Sequence, residues 1–251
     1  MHTATYYIDL LLSGITVGSL YALIAIGYTM VYGILRLINF AHGDIFMMSG
    51  FFMIYVSATL PMAVSIPVVL LMTVLLGVLI ERAAYKPLRS APRMSVMISA
   101  IGVSYLLQNL ATYITGGLAR PYPEISFLKK SFAVGSLNIK IITLLTPVLT
   151  ILLVISLVIF IKHTKTGMAM RPVPKDFDTA RLMGIKVNSV ITVTFIIGSF
   201  LAGVGSILYF TNYGQVSPTI GAMPGLKAFV AAVFGGIGSI PGAVIGAFII
   251  G

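Results

Sequence analysis

Apolar stretches follow one another along this chain, several of them long enough to cross a lipid bilayer as a helix, which takes about 20 residues. Leu10–Leu35 is the first. Ile45–Leu60 and Val64–Ile80 form a close pair split by Pro61. Val96–Ile114, Ile139–Ile161 and Val190–Phe210 follow, and Phe229–Gly251 begins another. The expected fold is all-α: a polytopic transmembrane helix bundle, with no sheet and no soluble domain. Composition excludes the alternatives. Hydrophobic residues make up 58% of the sequence and charged residues 9%, against roughly a quarter charged in an ordinary soluble domain. The formal charge of +10 comes from 16 Lys and Arg against 6 acids. With no soluble domain to present that charge, nucleic acid is not an expected partner; the lipid membrane is. There is no cysteine, so disulfides and thiolate metal sites are excluded and the redox compartment cannot be read. The first apolar segment is too long for a signal-peptide core and lacks a basic leader, so it is expected to be retained. Residues 1–251 read as one transmembrane domain, and the end at Gly251, inside an apolar stretch, suggests truncation there.

Orientation follows from the cations. Arg82, Lys86, Arg89 and Arg93 crowd one short loop; Lys162, Lys165, Arg171, Lys175, Arg181 and Lys186 crowd another. Both are expected on the cytoplasmic side, with two spans between them. The segment Thr115–Asn138 then faces outward, although Arg120, Lys129 and Lys130 oppose that placement. The side of the N-terminus depends on whether Arg36–Asp44 leaves the membrane, which the sequence leaves open. Small residues recur at helical spacing: Gly14, Gly18 and Ala22; Gly198, Ala202 and Ser206; Gly238, Gly242 and Gly246. Such faces let helix backbones approach closely in lipid, or they line a path.

Two polar clusters stand out against the apolar background. Asn39-Phe40-Ala41-His42-Gly43-Asp44 lies beside an apolar span, and ionisable groups at membrane depth mark functional sites by default. Asn39, His42 and Asp44 are therefore candidates for a solute path, the more so if the stretch is a broken helix lining a cavity. The competing reading is a short loop with Asp44 capping the next helix. A metal site is not expected, because one His and one Asp do not make a ligand set. On a later span Ser104, Gln108 and Thr112 lie four residues apart, beside Asn109. Hydrogen bonds between helices explain them, and Gln108 is also a candidate for solute contact.

The loop Lys162–Val187, KHTKTGMAMRPVPKDFDTARLMGIKV, is polar, and its second half reads as a short helix. Pro172 and Pro174 suit its beginning. Asp176 and Asp178 fall in the first turn, at the positive end of the helix dipole. Phe177, Leu182 and Met183 offer apolar surface, and Gly184 is a plausible stop. A capped, partly apolar helix in an aqueous loop is what a docking partner would grip; a solvated loop with balanced charges is the alternative. Catalytic motifs are missing. The G-x-G-x-x-G register from Gly236 ends on Pro241, no strand precedes it, and no Gly-Lys dipeptide, G-x-S-x-G elbow or H-E-x-x-H helix occurs. An enzyme is not expected, and energy for active transport must come from a partner or an ion gradient.

The stretch LLSGITVGSLYALIAIGYTMVYGILRLINFAHGDIFMMSGF resembles the N-terminal signature of the permease subunits of high-affinity branched-chain amino acid ABC importers. ERAAYKPLRS, followed by ISAIGVSYLLQN, is similar to the family's third and fourth spans. DFDTARLMGI resembles its ATPase-docking loop, and SPTIGAMPGLKAFVAAVFGGIGSIPGAVIGA its C-terminal signature. The resemblance runs nearly the whole chain. It implies a multi-pass permease of a bacterial or archaeal cytoplasmic membrane. It also implies a second, related permease subunit, two ATPase subunits and an external solute-binding protein. The chain would bind no cofactor itself; ATP and Mg would be used by the ATPase partners. Residues 162–188 would be the cytoplasmic docking loop, with Asp176, Asp178, Ala180, Gly184 and Ile185 at the family's positions. Two departures accompany it. Pro172 and Pro174 replace helix-compatible residues, and the family's helices beyond GGIGSIPGA are not in this sequence. The solute would be a branched-chain or other neutral amino acid. Relatives that import urea or short amides are the nearest alternative, and a passive channel or ion-coupled carrier the next; an intramembrane enzyme lacks paired catalytic groups.

Overall fold

The computed structural model describes residues 2–89, 91–134, 137–170 and 177–251. Helix α1 runs from His2 to Leu35, and Arg36, at φ 53, turns the chain out of it. Helix α2 (His42–Ser57) is short, and Pro61 then caps α3 (Met62–Ile80), which continues through one π-helical turn, Glu81–Tyr85. Helix α4 spans Arg93–Thr115. Between it and α6 (Ile141–His163) lie strand β1 (Arg120–Pro121), helix α5 (Ser126–Lys129) and strands β2 (Ser131–Val134) and β3 (Leu137–Lys140). Helices α7 (Lys165–Ala169) and α8 (Phe177–Leu182) precede α9 (Val187–Tyr213). Strand β4 (Gln215–Val216), α10 (Ala222–Phe234) and α11 (Ile240–Ile250) complete the order.

Among the described residues, five helices are long and apolar enough to cross a membrane: α1, α3 with its π-turn, α4, α6 and α9. Of their most apolar windows, 61% of α1 and 67% of α9 is buried, against 22% of α4 and 17% of α6. So α1 and α9 form the core and α4 and α6 the periphery. Lipid supplies no hydrophobic drive between helices, and close van der Waals fit does the work instead. Gly18 faces the backbone of α11, where a Cβ would stand 3.0 Å from Phe248 Cα, and Gly14 faces Gly251. Gly198 lies against Gly27 of α1, and Gly77 of α3 receives the Ser199 side chain.

The structure departs from expectation at two places. The apolar stretch Phe229–Gly251 is not one helix: it begins inside α10, turns at Gly235–Ser239 and continues as α11 beside α10. Gly236 and Gly238 take φ of +91° and +94°, in the left-handed region that side chains resist. Ser239 Oγ then accepts from the Gly242 amide at 3.2 Å, capping α11. Gly238 is therefore a turn residue beside Gly33 rather than part of a packing face with Gly242, which lies against the Gly235 carbonyl. The second departure is strand: β1 pairs with β4, and β2 with β3, each antiparallel and short.

Those strands orient the bundle. The β1–β4 pair puts the end of α4 and the end of α9 together. Asp9 and Ser13 of α1 share a polar cleft with Lys140, Asn212 and Tyr213, so α1 also starts at that end. The basic loop after α3 lies at the opposite end, where Arg89 Nη1 donates to Asn188 Oδ1 at 2.5 Å, in the first turn of α9. The two cation-rich loops therefore share one end of the molecule, and α1 begins at the other.

Candidate functional site

Helix α2 starts inside the bundle. Its first residue, His42, fits against Gly27, where any Cβ would collide with the imidazole, and lies close to Gly198 near the middle of α9. Residues 36–41 are thus a break in the helical path within the apolar depth of the protein. Helix α10 starts at the same level. A Cβ on Gly43 would come within 2.6 Å of the Gly221 carbonyl oxygen and 3.2 Å of Gly225 Cα. Two helix starts meet there backbone to backbone, and only glycine permits the approach. Non-helical backbone at such depth is tolerated where protein buries it or a cavity receives it.

A cleft of about 350 Å³ opens beside this contact. Its lining includes Asp44, Ser104 and Gln108, with Tyr28, Tyr105 and Phe229 forming part of the wall. Asp44 is 2% exposed. Ser104 Oγ donates to its Oδ2 at 2.5 Å, and Gln108 Nε2 donates to its Oδ1 at 3.0 Å and to Ser104 Oγ at 3.2 Å. Asp44 forms no salt bridge among the described residues. Its position in the first turn of α2 places the carboxylate at the positive end of that helix. It is not the helix cap considered from sequence: Ala41 holds the cap position, without a side-chain bond.

The polar sequence Asn39–Asp44 therefore divides. Asp44 and Gln108 line the cleft; Asn39 and His42 are not among its lining residues. Asn39 Oδ1 accepts from the Tyr85 hydroxyl at 2.9 Å, while His42 stacks edge-on against Tyr28, ring centroids 4.9 Å apart. Asn39 Nδ2 and His42 Nε2 have no hydrogen-bond partner among the described residues. The break before α2 and the helix's first turn separate residues that the sequence presents as one cluster. Of the stripe Ser104, Gln108 and Thr112, the first two reach across to α2; Thr112 bonds back to the Gln108 carbonyl. Tyr28 and Tyr85 carry no sequence signal, because tyrosine is ordinary in apolar spans; only the fold brings them to the polar residues.

A second buried acid lies at the basic end. Glu81, 1% exposed, forms a salt bridge with Arg89 and accepts from Thr192 Oγ1 at 3.1 Å. Burial lowers the Arg89 pKa below its ordinary value, and Glu81 opposes that shift. The arrangement ties the π-helical turn to the start of α9, immediately after the polar loop. Within that loop Thr164 Oγ1 accepts from the Gly167 amide at 3.0 Å and caps α7, which the sequence reading did not anticipate. Asp176, Pro172 and Pro174 lie outside the described residues; for Phe177 and Asp178 only the helical backbone is described. Ala180 is buried, whereas Leu182 and Met183 are 89% and 69% exposed. Gly184 takes φ +79°, and the amides of Gly184 and Ile185 bond to the Arg181 and Ala180 carbonyls, the Schellman pattern that closes a helix.

Residues 10–251 match the family described as branched-chain amino acid transport system / permease component. The chain is 41% identical to the high-affinity branched-chain amino acid transport system permease protein BraD of Pseudomonas aeruginosa, over 98% of this chain and 84% of that protein. It is 40% identical to the permease protein LivH of Escherichia coli, with the same coverage. It is 28% identical to a probable branched-chain amino acid transport permease protein of Methanocaldococcus jannaschii, over 93% and 75%. No solved structure matches the chain. Identity at this level across nearly the whole length, on a multi-pass helical bundle, establishes that the chain belongs to the branched-chain amino acid transport permease family.

Proposed function

We propose that this chain is the membrane-spanning permease subunit of an ATP-driven importer for branched-chain amino acids. It carries no nucleotide chemistry and acts with a second permease, two ATPase subunits and an external binding protein. The observation that carries the reading is the cleft beside Asp44 and Gln108 at the meeting of α2 and α10, inside a chain about two-fifths identical to BraD and LivH. Half-length helices that start within the bundle are a recurrent way to expose backbone polarity to a solute at membrane depth. The cleft beside Asp44 and Gln108 is then part of the solute path; Asn39 and His42 support it from behind. The basic end faces the cytoplasm, and α8 presents Leu182 and Met183 to the ATPase.

The test is reconstitution with the partner subunits in vesicles. ATP-dependent uptake of labelled leucine is expected, with urea and short amides not accumulated. Leu182→Glu should reduce co-purification of the ATPase or uncouple hydrolysis from uptake. Wild-type values for both readouts would remove α8 from the mechanism, and leucine uptake that does not require ATP would favour a channel or carrier.

A further inference from the structure

Asp44 is a carboxylic side chain buried within the bundle, and no cation pairs with it among the described residues. Each oxygen accepts one hydrogen bond from a neutral donor, Ser104 or Gln108. A carboxylate offers about four acceptor positions, so about two remain. Among the described residues it forms no ion pair, although the chain carries 16 Lys and Arg. Most of the cations lie in or beside the connections between α3 and α4, α4 and α6, and α6 and α9, and Lys227 of α10 lies over the Tyr21 ring at 5.7 Å. A desolvated charge with no partner is costly unless a ligand completes it. Two neutral donors fix the side chain and leave acceptor positions open toward the cleft, and the first turn of α2 favours a negative charge there. The cleft it lines is otherwise walled largely by apolar and aromatic side chains, Ile101, Tyr105, Leu226 and Phe229 among them.

We propose that Asp44 receives the α-ammonium group of the transported amino acid, with Ser104 and Gln108 as positioning residues and the apolar wall taking the aliphatic side chain. The assignment rests on the functional reading above and narrows it. An ammonium brings three donors and a full charge to a carboxylate with free acceptor positions. Urea and simple amides bring no charge and would leave Asp44 uncompensated, so the site selects amino acids against the uncharged solutes. No proton transfer or covalent step is involved.

Saturation-transfer NMR on the complete importer in nanodiscs, without its binding protein, tests this with leucine as probe. 3-Methylbutylamine, which keeps the ammonium and loses the carboxylate, should compete with leucine. 4-Methylpentanoate, which lacks the ammonium, should not. Asp44→Asn keeps the shape of the side chain and should weaken leucine binding about tenfold or more, the scale expected when one member of a desolvated charge pair is neutralised. It should also abolish competition by the amine, while subunit co-purification stays at the wild-type level. Asp44→Glu should restore part of the affinity. Wild-type leucine affinity in Asp44→Asn would overturn the assignment, as would equal competition by the amine and the acid. Loss of leucine binding when sodium is replaced by choline would also overturn it, by giving the carboxylate to a metal cation. A wild-type complex with no leucine signal at millimolar ligand overturns it as well. Uptake of labelled leucine by the same complex in vesicles then decides separately whether the functional reading stands.

Discussion

Glu81 and Asp44 are both buried carboxylates in a chain with few acids, and their surroundings differ in one respect. Glu81 has a counter-ion: Arg89 pairs with it, Thr192 donates to it, and Asn188 holds the guanidinium in turn. Asp44 has two neutral donors and a cleft. The first is a charge-paired network that joins α3 with its π-turn, the basic loop and α9, although Arg89 Nε has no hydrogen-bond partner among the described residues. The second is held in place yet incomplete. Burial alone therefore does not separate the two acids; the presence or absence of an internal cation does, and the proposed solute contact at Asp44 rests on that difference. Position sharpens the contrast: the Glu81 pair sits at the basic end, where water reaches part of Arg89, whereas Asp44 lies at the helix starts inside the bundle.

The largest effect expected from breaking this comparison is on stability at Glu81. Glu81→Ala strands the Arg89 charge, and removing one partner of a buried pair costs roughly 3 kcal/mol, less the share of Arg89 that water reaches. Thermal unfolding of the detergent-solubilised protein should show it. A Glu81→Met, Arg89→Met double variant should recover most of the loss, because no charge is then left unpaired. Next comes Asp44→Asn, with the opposite signature. In the same melting experiment it should change stability by no more than about 1 kcal/mol, while leucine uptake falls severely. If instead it melts the protein as Glu81→Ala does, the two acids are alike and the distinction is lost. Gln108→Ala is smaller still. It releases the hydrogen bonds from Nε2 to Asp44 and Ser104 and leaves the carboxyl group itself in place. It should raise the KM for uptake several-fold with little change in ATPase association. Smallest of all is Lys129→Ala. The Glu124–Lys129 pair, 2.6 Å apart and exposed, is an ion pair in water, and no change in melting or uptake is expected.

Much of the bundle is legible from sequence because length and apolarity are what a bilayer reads. Helices α3, α4, α6 and α9 begin and end within a few residues of expectation, while α1 starts at His2 rather than Leu10; Pro61 divides α2 from α3, and Gly184 closes α8 with the positive φ that its position after Leu182 and Met183 suggested. The α10–α11 turn is not legible for a physical reason. Its break rests on Gly235, Gly236 and Gly238, and glycine in an apolar segment signals tight helix packing as readily as a turn. At the site, the sequence marks Asp44 but not its use. An aspartate in the first turn of a helix suits a cap and a ligand equally. What separates them, Ser104 and Gln108, lies 60 and 64 residues further along the chain. The Glu81–Arg89 pair was equally hidden: one acid beside several loop cations reads as simple charge balance until the fold buries it.

The contact of Gly43 with Gly221 and Gly225 has a genetic consequence. When a core side chain is enlarged, a second mutation that shrinks its neighbour can restore the fit. Here the neighbours are already glycines, approached through the Gly221 carbonyl and the Gly225 Cα. No smaller residue exists to substitute for them. A selection for revertants of Gly43→Ala should therefore return true revertants, or changes that displace a whole helix, and no suppressors from within the contact. These positions form a local dead end in sequence space, fixed by the absence of atoms rather than by any group they contribute.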